Sequence, residues 1–121
     1  MDESVRSGIP IQLHQNCLVA AVQVDLDGAQ MKLFQDDLLH RISEQKNLSG
    51  VIFDLSARSI MDLIEFNEFR KLIDIVRLMG FDSVMMGLKP AVISSLIMMN
   101  ANIEGITGVM SLDEAIDHLE A

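Results

Sequence analysis

Between the turn-prone Asn47 to Gly50 and the polar residues after position 55 stands Val51-Ile52-Phe53-Asp54-Leu55, a nearly unbroken apolar run broken only by one acid. Such a run has no polar face to offer water, so it predicts a strand buried on both sides, as in a parallel sheet. Parallel strands need crossover connections, and the flanking sequence has the helical pattern that crossovers use.

Upstream, Ile9 to Gln15 and Cys17 to Val24 are two short apolar-rich runs separated by Gln15-Asn16, which predicts a pair of strands. Asp27 with Gln30 makes a capping box, and Met31, Phe34, Leu38 and Ile42 then recur at helical spacing, with Asp36, Asp37 and Arg41 expected to face water. Downstream, Asp62 with Glu65 is read as a second capping box. It opens a helix whose buried stripe includes Phe66, Phe69, Leu72, Ile73 and Val76 and which stops at Gly80.

Ser83 to Met86 predicts a short strand, and Pro90 takes the first-turn position of a third helix running to about Asn100. Ile106 to Met110 is expected to add an edge strand, and Ser111 with Glu114 to cap a terminal helix carrying Leu112, Ile116 and Leu119. The element order β-β-α-β-α-β-α-β-α makes this an α/β fold, a mixed β-sheet covered by helices. No repeat or linker divides the 121 residues, so residues 9–121 are read as one domain behind a flexible tail at 1–8.

Half of the residues are hydrophobic, enough for a packed core, and the net charge of -9 repels nucleic-acid phosphates and anionic lipids alike. The polar start of the chain lacks the apolar core of a signal peptide, and no apolar stretch approaches the ~18 residues that span a bilayer. Cys17 is the single cysteine and lies in an apolar strand, so no internal disulfide forms; a cytoplasmic location is expected.

Candidate chemistry is sparse. His14, His40 and His118 are scattered without metal-ligand spacing, Ser94 and Ser95 lack a nucleophile-elbow context, and the glycines form no phosphate-binding loop. No catalytic residue, metal or cofactor is expected. Asp54 and Asp62 could pair for acid-base work, but helix capping is the more economical role for Asp62. The nine methionines, including Met85-Met86 and Met98-Met99, are read as gap-fillers in a core with five phenylalanines and neither tryptophan nor tyrosine.

The run Asp54-Leu55-Ser56-Ala57-Arg58-Ser59-Ile60-Met61-Asp62-Leu63 resembles the STAS-family signature D-L-S-x-x-x-x-(I/V/M)-D-S, whose final serine begins the second helix. Met85-Met86-Gly87-Leu88-Lys89-Pro90-Ala91-Val92 is similar to the V-L-T-G-I-K-P-A-V stretch of the small STAS-only stressosome subunit. Ile9-Pro10-Ile11 and Phe34 to Leu39 also resemble that subfamily, so the similarity covers nearly the whole chain from about Ile9.

The resemblance implies a single STAS domain acting as a non-catalytic interaction module of the stressosome or anti-sigma-factor-antagonist kind. It implies a bacterial serine kinase or anti-sigma-type protein, larger STAS subunits and copies of the chain itself as partners. In such proteins a kinase modifies the serine at the start of the second helix; here Leu63 stands in that place, and Met86 replaces the threonine of the later stretch. The residues expected to face the partner are Asp62, Leu63, Ile64 and Glu65, with Asp62 holding the helix start and Glu65 answering it. Two alternatives stay open: a switch phosphorylated at Ser59, or a small-ligand or nucleotide sensor using the crevice beyond the strand carboxyl ends.

Overall fold

Strand β1 (Ile11–His14) turns at Gln15, whose φ of 54° is left-handed, and pairs antiparallel with β2 (Cys17–Ala21) in the computed structural model, which describes residues 7–121. Strands β3 (Gly50–Asp54), β4 (Asp82–Met86) and β5 (Gly108–Val109) follow parallel to β2, so the sheet order is the chain order, β1-β2-β3-β4-β5. The helices are α1 (Gly28–Ser43), α2 (Leu63–Leu78), α3 (Pro90–Met98) and α4 (Leu112–Glu120). The expected element order is therefore the observed one. The edges came out shorter: β1 and β2 lose their outer residues, β5 is two residues rather than five, and α3 ends at Met98.

Residues of α1, α2 and α3 share one core with one face of the sheet, while α4 covers the other. The first core is centred on Phe34 of α1, Phe53 of β3 and Phe69 of α2, which meet edge to face with ring centroids 5.8–6.3 Å apart, the separation aromatic quadrupoles prefer. One ring from each element fixes how the two long helices sit on the central strand. On the other face α4 closes over Cys17, Ile52 and Val84 with Ala115 and Ile116. It comes so near that a Cβ on Gly50 would lie 2.7 Å from both the Asp82 carbonyl and a methyl of Leu119. Burial, and then the charge of Glu120, push the Cys17 thiol up, so it stays protonated and inert.

Helix ends follow the local rules. Asp27 and Gln30 close the expected capping box. Gly80, at φ +98°, ends α2 in a Schellman turn in which Gly80 N–H donates to the Arg77 carbonyl and Phe81 N–H to that of Val76. Asn100, at φ +60°, does the same for α3 through Ile97 and Leu96.

Two residues of α1 depart from expectation. Asp37 is buried and accepts a hydrogen bond from Ser7 N–H at 2.8 Å, and the half-buried Arg41 donates to the Ile11 carbonyl at 2.6 Å. Standing one turn apart, they hold the edge strand and the segment before it against the helix, a long-range task that helical periodicity does not encode. Residues 1–6 of the expected tail lie outside the described residues. Among the described residues no helix is long and apolar enough to cross a membrane.

Candidate functional site

The carboxyl ends of β3 and β4 lead into two loops that are laced together. Asp54 accepts from Ser56 N–H at 3.0 Å and from Ser56 Oγ at 2.7 Å, which turns the chain sharply after the strand. Gly87 faces this turn with φ +80°, and a Cβ there would sit 2.6 Å from that of Ser56. Lys89 Nζ then donates to the carbonyls of Ser56 at 2.7 Å and Arg58 at 3.0 Å, and Leu55 N–H donates to the Met86 carbonyl. These bonds lace the two loops together across the carboxyl ends of β3 and β4, where a nucleotide sensor would hold its ligand.

The centre of the site is a charge cluster that the sequence did not announce. Arg58, only 3% exposed, forks onto Glu65, 6% exposed, with Nη2 to Oε1 at 2.6 Å and Nη1 to Oε2 at 2.8 Å. The same guanidinium reaches Asp25 at 2.6 Å and the Ile60 carbonyl at 3.1 Å, while Leu26 N–H donates to Glu65 Oε2 at 3.1 Å. The Glu65 hydrogen bond, ahead of the attraction of Glu65 and Asp25, holds the Arg58 guanidinium above its ordinary pKa against the opposing effect of burial. This cluster ties the β2–α1 loop, the β3–α2 loop and the first turn of α2 into one rigid piece.

Of the four residues expected to face a partner, Asp62 caps α2 as read, accepting from Glu65 N–H at 2.7 Å. Glu65 does not: its carboxylate turns inward to Arg58 instead of answering the cap, because a buried guanidinium is a stronger partner than an exposed backbone N–H. Leu63 is half-buried at the first helical position, and Ile64 is 77% exposed. Ile60, also 77% exposed, and exposed Val24 stand on the same clamped loops, and neither was singled out from the sequence. A run of alternating apolar and polar residues in a loop has no periodicity to say which side chains face out.

Around these apolar side chains the exposed acids Asp25, Asp27 and Asp62 form an acidic margin. Next to Ile64 a groove of about 340 Å³ opens between α1 and α2, floored by Leu26 and Met31 and flanked by Lys32 and Glu68. Ser59 is exposed in the β3–α2 loop. Asp54 and Asp62 are each engaged in turn and cap hydrogen bonds. Among the described residues no three His, Cys, Asp or Glu side chains stand close enough to share a metal ion.

The pattern that defines the STAS domain matches residues 8–115. A serine-to-glutamate variant of RsbS from Moorella thermoacetica is 26% identical, with a TM-score of 0.78 over 93% of this chain and 95% of that one. A chain of the stressosome, described as a signal integration and transduction hub, is 25% identical with a TM-score of 0.76, covering 92% and 96%. The RsbT co-antagonist protein RsbRC of Bacillus subtilis (strain 168) is 27% identical over 92 residues, which are 76% of this chain and 32% of that protein, so the chain spans about a third of that relative's length. With the order of its strands, the Asp54-to-Asp62 loop and this match all in agreement, the chain belongs to the STAS domain family.

Proposed function

We propose that this chain is a non-catalytic cytoplasmic STAS interaction module that docks a serine kinase or anti-sigma-type partner through the start of α2, and that Leu63 removes the hydroxyl by which relatives are switched. The observation that carries this reading is the pair Ile60 and Ile64, two large aliphatic side chains left 77% exposed on a loop and helix start held rigid from beneath by Arg58 and Glu65. Pre-ordered apolar side chains bind without the entropy loss of ordering a loop, and such anchors dominate interface energetics.

Support comes from position and from kinship. Leu63 directly follows the Asp62 cap, the place where the STAS signature has its final serine. The stressosome is, by its name, a signal integration and transduction hub, and RsbRC is, by its name, a co-antagonist of RsbT, which fits a module that acts by binding other proteins. The acidic margin selects a partner whose apolar socket is ringed by lysine or arginine, so association is expected to slow as salt rises.

The test is a titration of the cognate kinase. Ile64→Lys is expected to weaken binding by about 2 kcal/mol, roughly thirtyfold, as for loss of a central apolar anchor. Leu78→Lys, at the other end of α2 and 88% exposed, should leave affinity unchanged. Equal affinity of wild type and Ile64→Lys would remove the docking surface from this reading.

A further inference from the structure

Lys89 stands at a helix start, a place that disfavours lysine. It is the N-cap of α3, with Pro90 at the first helical position, and its side chain makes no capping bond. Serine, threonine, asparagine and aspartate serve this position because their oxygens accept the free N–H groups of the first turn, and an ammonium has no acceptor to offer. Its charge also lies at the positive end of the helix dipole, and no acidic residue in the first turn of α3 compensates. The needs of α3 do not account for this residue.

Its side chain serves another element. Pro90 confines the Lys89 backbone to the extended region, at φ -66° and ψ 145°. Gly87, with no Cβ to clash, brings the β4–α3 loop down onto Ser56. From there Lys89 Nζ donates to the Ser56 carbonyl at 2.7 Å and the Arg58 carbonyl at 3.0 Å. Residues 55–62 form no helix or strand, so their carbonyls depend on such donors. Leu55 accepts from Arg58 N–H at 3.0 Å, and Ile60 from the Arg58 guanidinium at 3.1 Å. Two cations thus hold the loop that carries Ile60, Arg58 from within it and Lys89 from a loop far along the chain. Lys89 fixes the backbone of the same residue whose side chain grips Glu65 and Asp25.

We propose that Lys89 is a positioning residue for the docking surface at the start of α2, keeping Ile60 in place through the Ser56 and Arg58 carbonyls. The inference rests on the docking reading above and adds to it a residue that acts through the loop rather than by its own contact. A loop ordered before docking loses less entropy on binding. Lys89 is exposed, so losing its bonds loosens the loop more than it destabilises the domain.

Lys89→Ser separates order from stability, because serine is a preferred N-cap yet too short to span to the two carbonyls. The variant is expected to keep its native circular dichroism and a thermal midpoint within about 5 °C of wild type. Its Arg58 amide should exchange roughly tenfold faster with deuterium, as for loss of a charge-assisted hydrogen bond, while the Ala21 amide, bonded to the Pro10 carbonyl, stays unchanged. Affinity for the cognate kinase should fall about tenfold, and Lys89→Arg, which keeps a cation with several donors, should stay within about threefold of wild type. Unchanged Arg58 exchange in Lys89→Ser would overturn the proposal. So would a loosened loop that binds the kinase as tightly as wild type, or Lys89→Arg no better than Lys89→Ser. A large fall in midpoint with faster exchange at Ala21 would also overturn it, as the mark of a general stabiliser. Ile64→Lys, titrated alongside, tells the two claims apart. Binding weakened by Ile64→Lys but not by Lys89→Ser removes the role of Lys89 alone, whereas wild-type affinity in both removes the docking surface itself.

Discussion

Arg58→Ala is expected to destabilise the domain by about 3–5 kcal/mol, the range seen when one partner of a buried ion pair is removed. The substitution leaves the carboxylate of Glu65, a residue 6% exposed in the intact domain, with the Leu26 backbone N–H as its remaining hydrogen-bond donor, and it frees Asp25 and the Ile60 carbonyl. For a domain of this size the thermal midpoint should fall by roughly 10–20 °C. The pair itself is not a large net source of stability, since desolvation offsets much of the attraction. Arg58→Met with Glu65→Leu should therefore recover most of the loss, while leaving a less firmly fixed loop. If Arg58→Ala melts within a degree or two of wild type, the cluster does not hold the loops together.

Gly87→Val is expected to destabilise by about 3 kcal/mol or more, from two additive sources. A left-handed φ of +80° costs an L-residue roughly 1–2 kcal/mol, and more when it is β-branched. The new side chain also meets Ser56 backbone and Cβ atoms at 2.6–3.2 Å, and relief requires moving the β3–α2 turn, at an overpacking cost of about 1–3 kcal/mol. Gly80→Ala is the control for the first source alone, since its φ is +98° and nothing lies within 4 Å of its Cβ. Denaturant titration of both variants measures the difference. Equal losses would mean that the contact between Gly87 and Ser56 is soft.

The fold was legible because its signals are local. Capping residues at Asp27, Asp62 and Ser111, the glycine at position 80, and the apolar run at 51–55 each act within a few residues of themselves, so element order follows from the sequence. The site was legible only in outline. Arg58 stands in the β3–α2 loop, outside any regular element, and meets Glu65 across the loop-to-helix boundary and Asp25 thirty-three residues back, so no helical or strand periodicity applied to it and a residue in a polar loop gave no sign of being buried. Glu65 at the third helical position satisfied the capping-box pattern, and tertiary structure offered it a stronger partner.

Apolar content misled in the opposite direction at α3. Met98, 84% exposed, and Met99 read as core because a sequence records hydrophobicity without recording what covers it. Asp37 and Arg41 show the converse, charged residues on a helix enlisted to hold a strand that lies far away in sequence.

On the proposed function, α2 begins with Leu63 where a partner kinase would need a hydroxyl. Intact-mass measurement after incubation with the cognate serine kinase and ATP addresses it most directly. Wild type should gain nothing, and Leu63→Ser, folded and otherwise unchanged, should gain the mass of one phosphate, which the N-terminus of α2 can accept. A phosphate on wild type that disappears in Ser59→Ala, or a folded Leu63→Ser that stays unmodified, would contradict it.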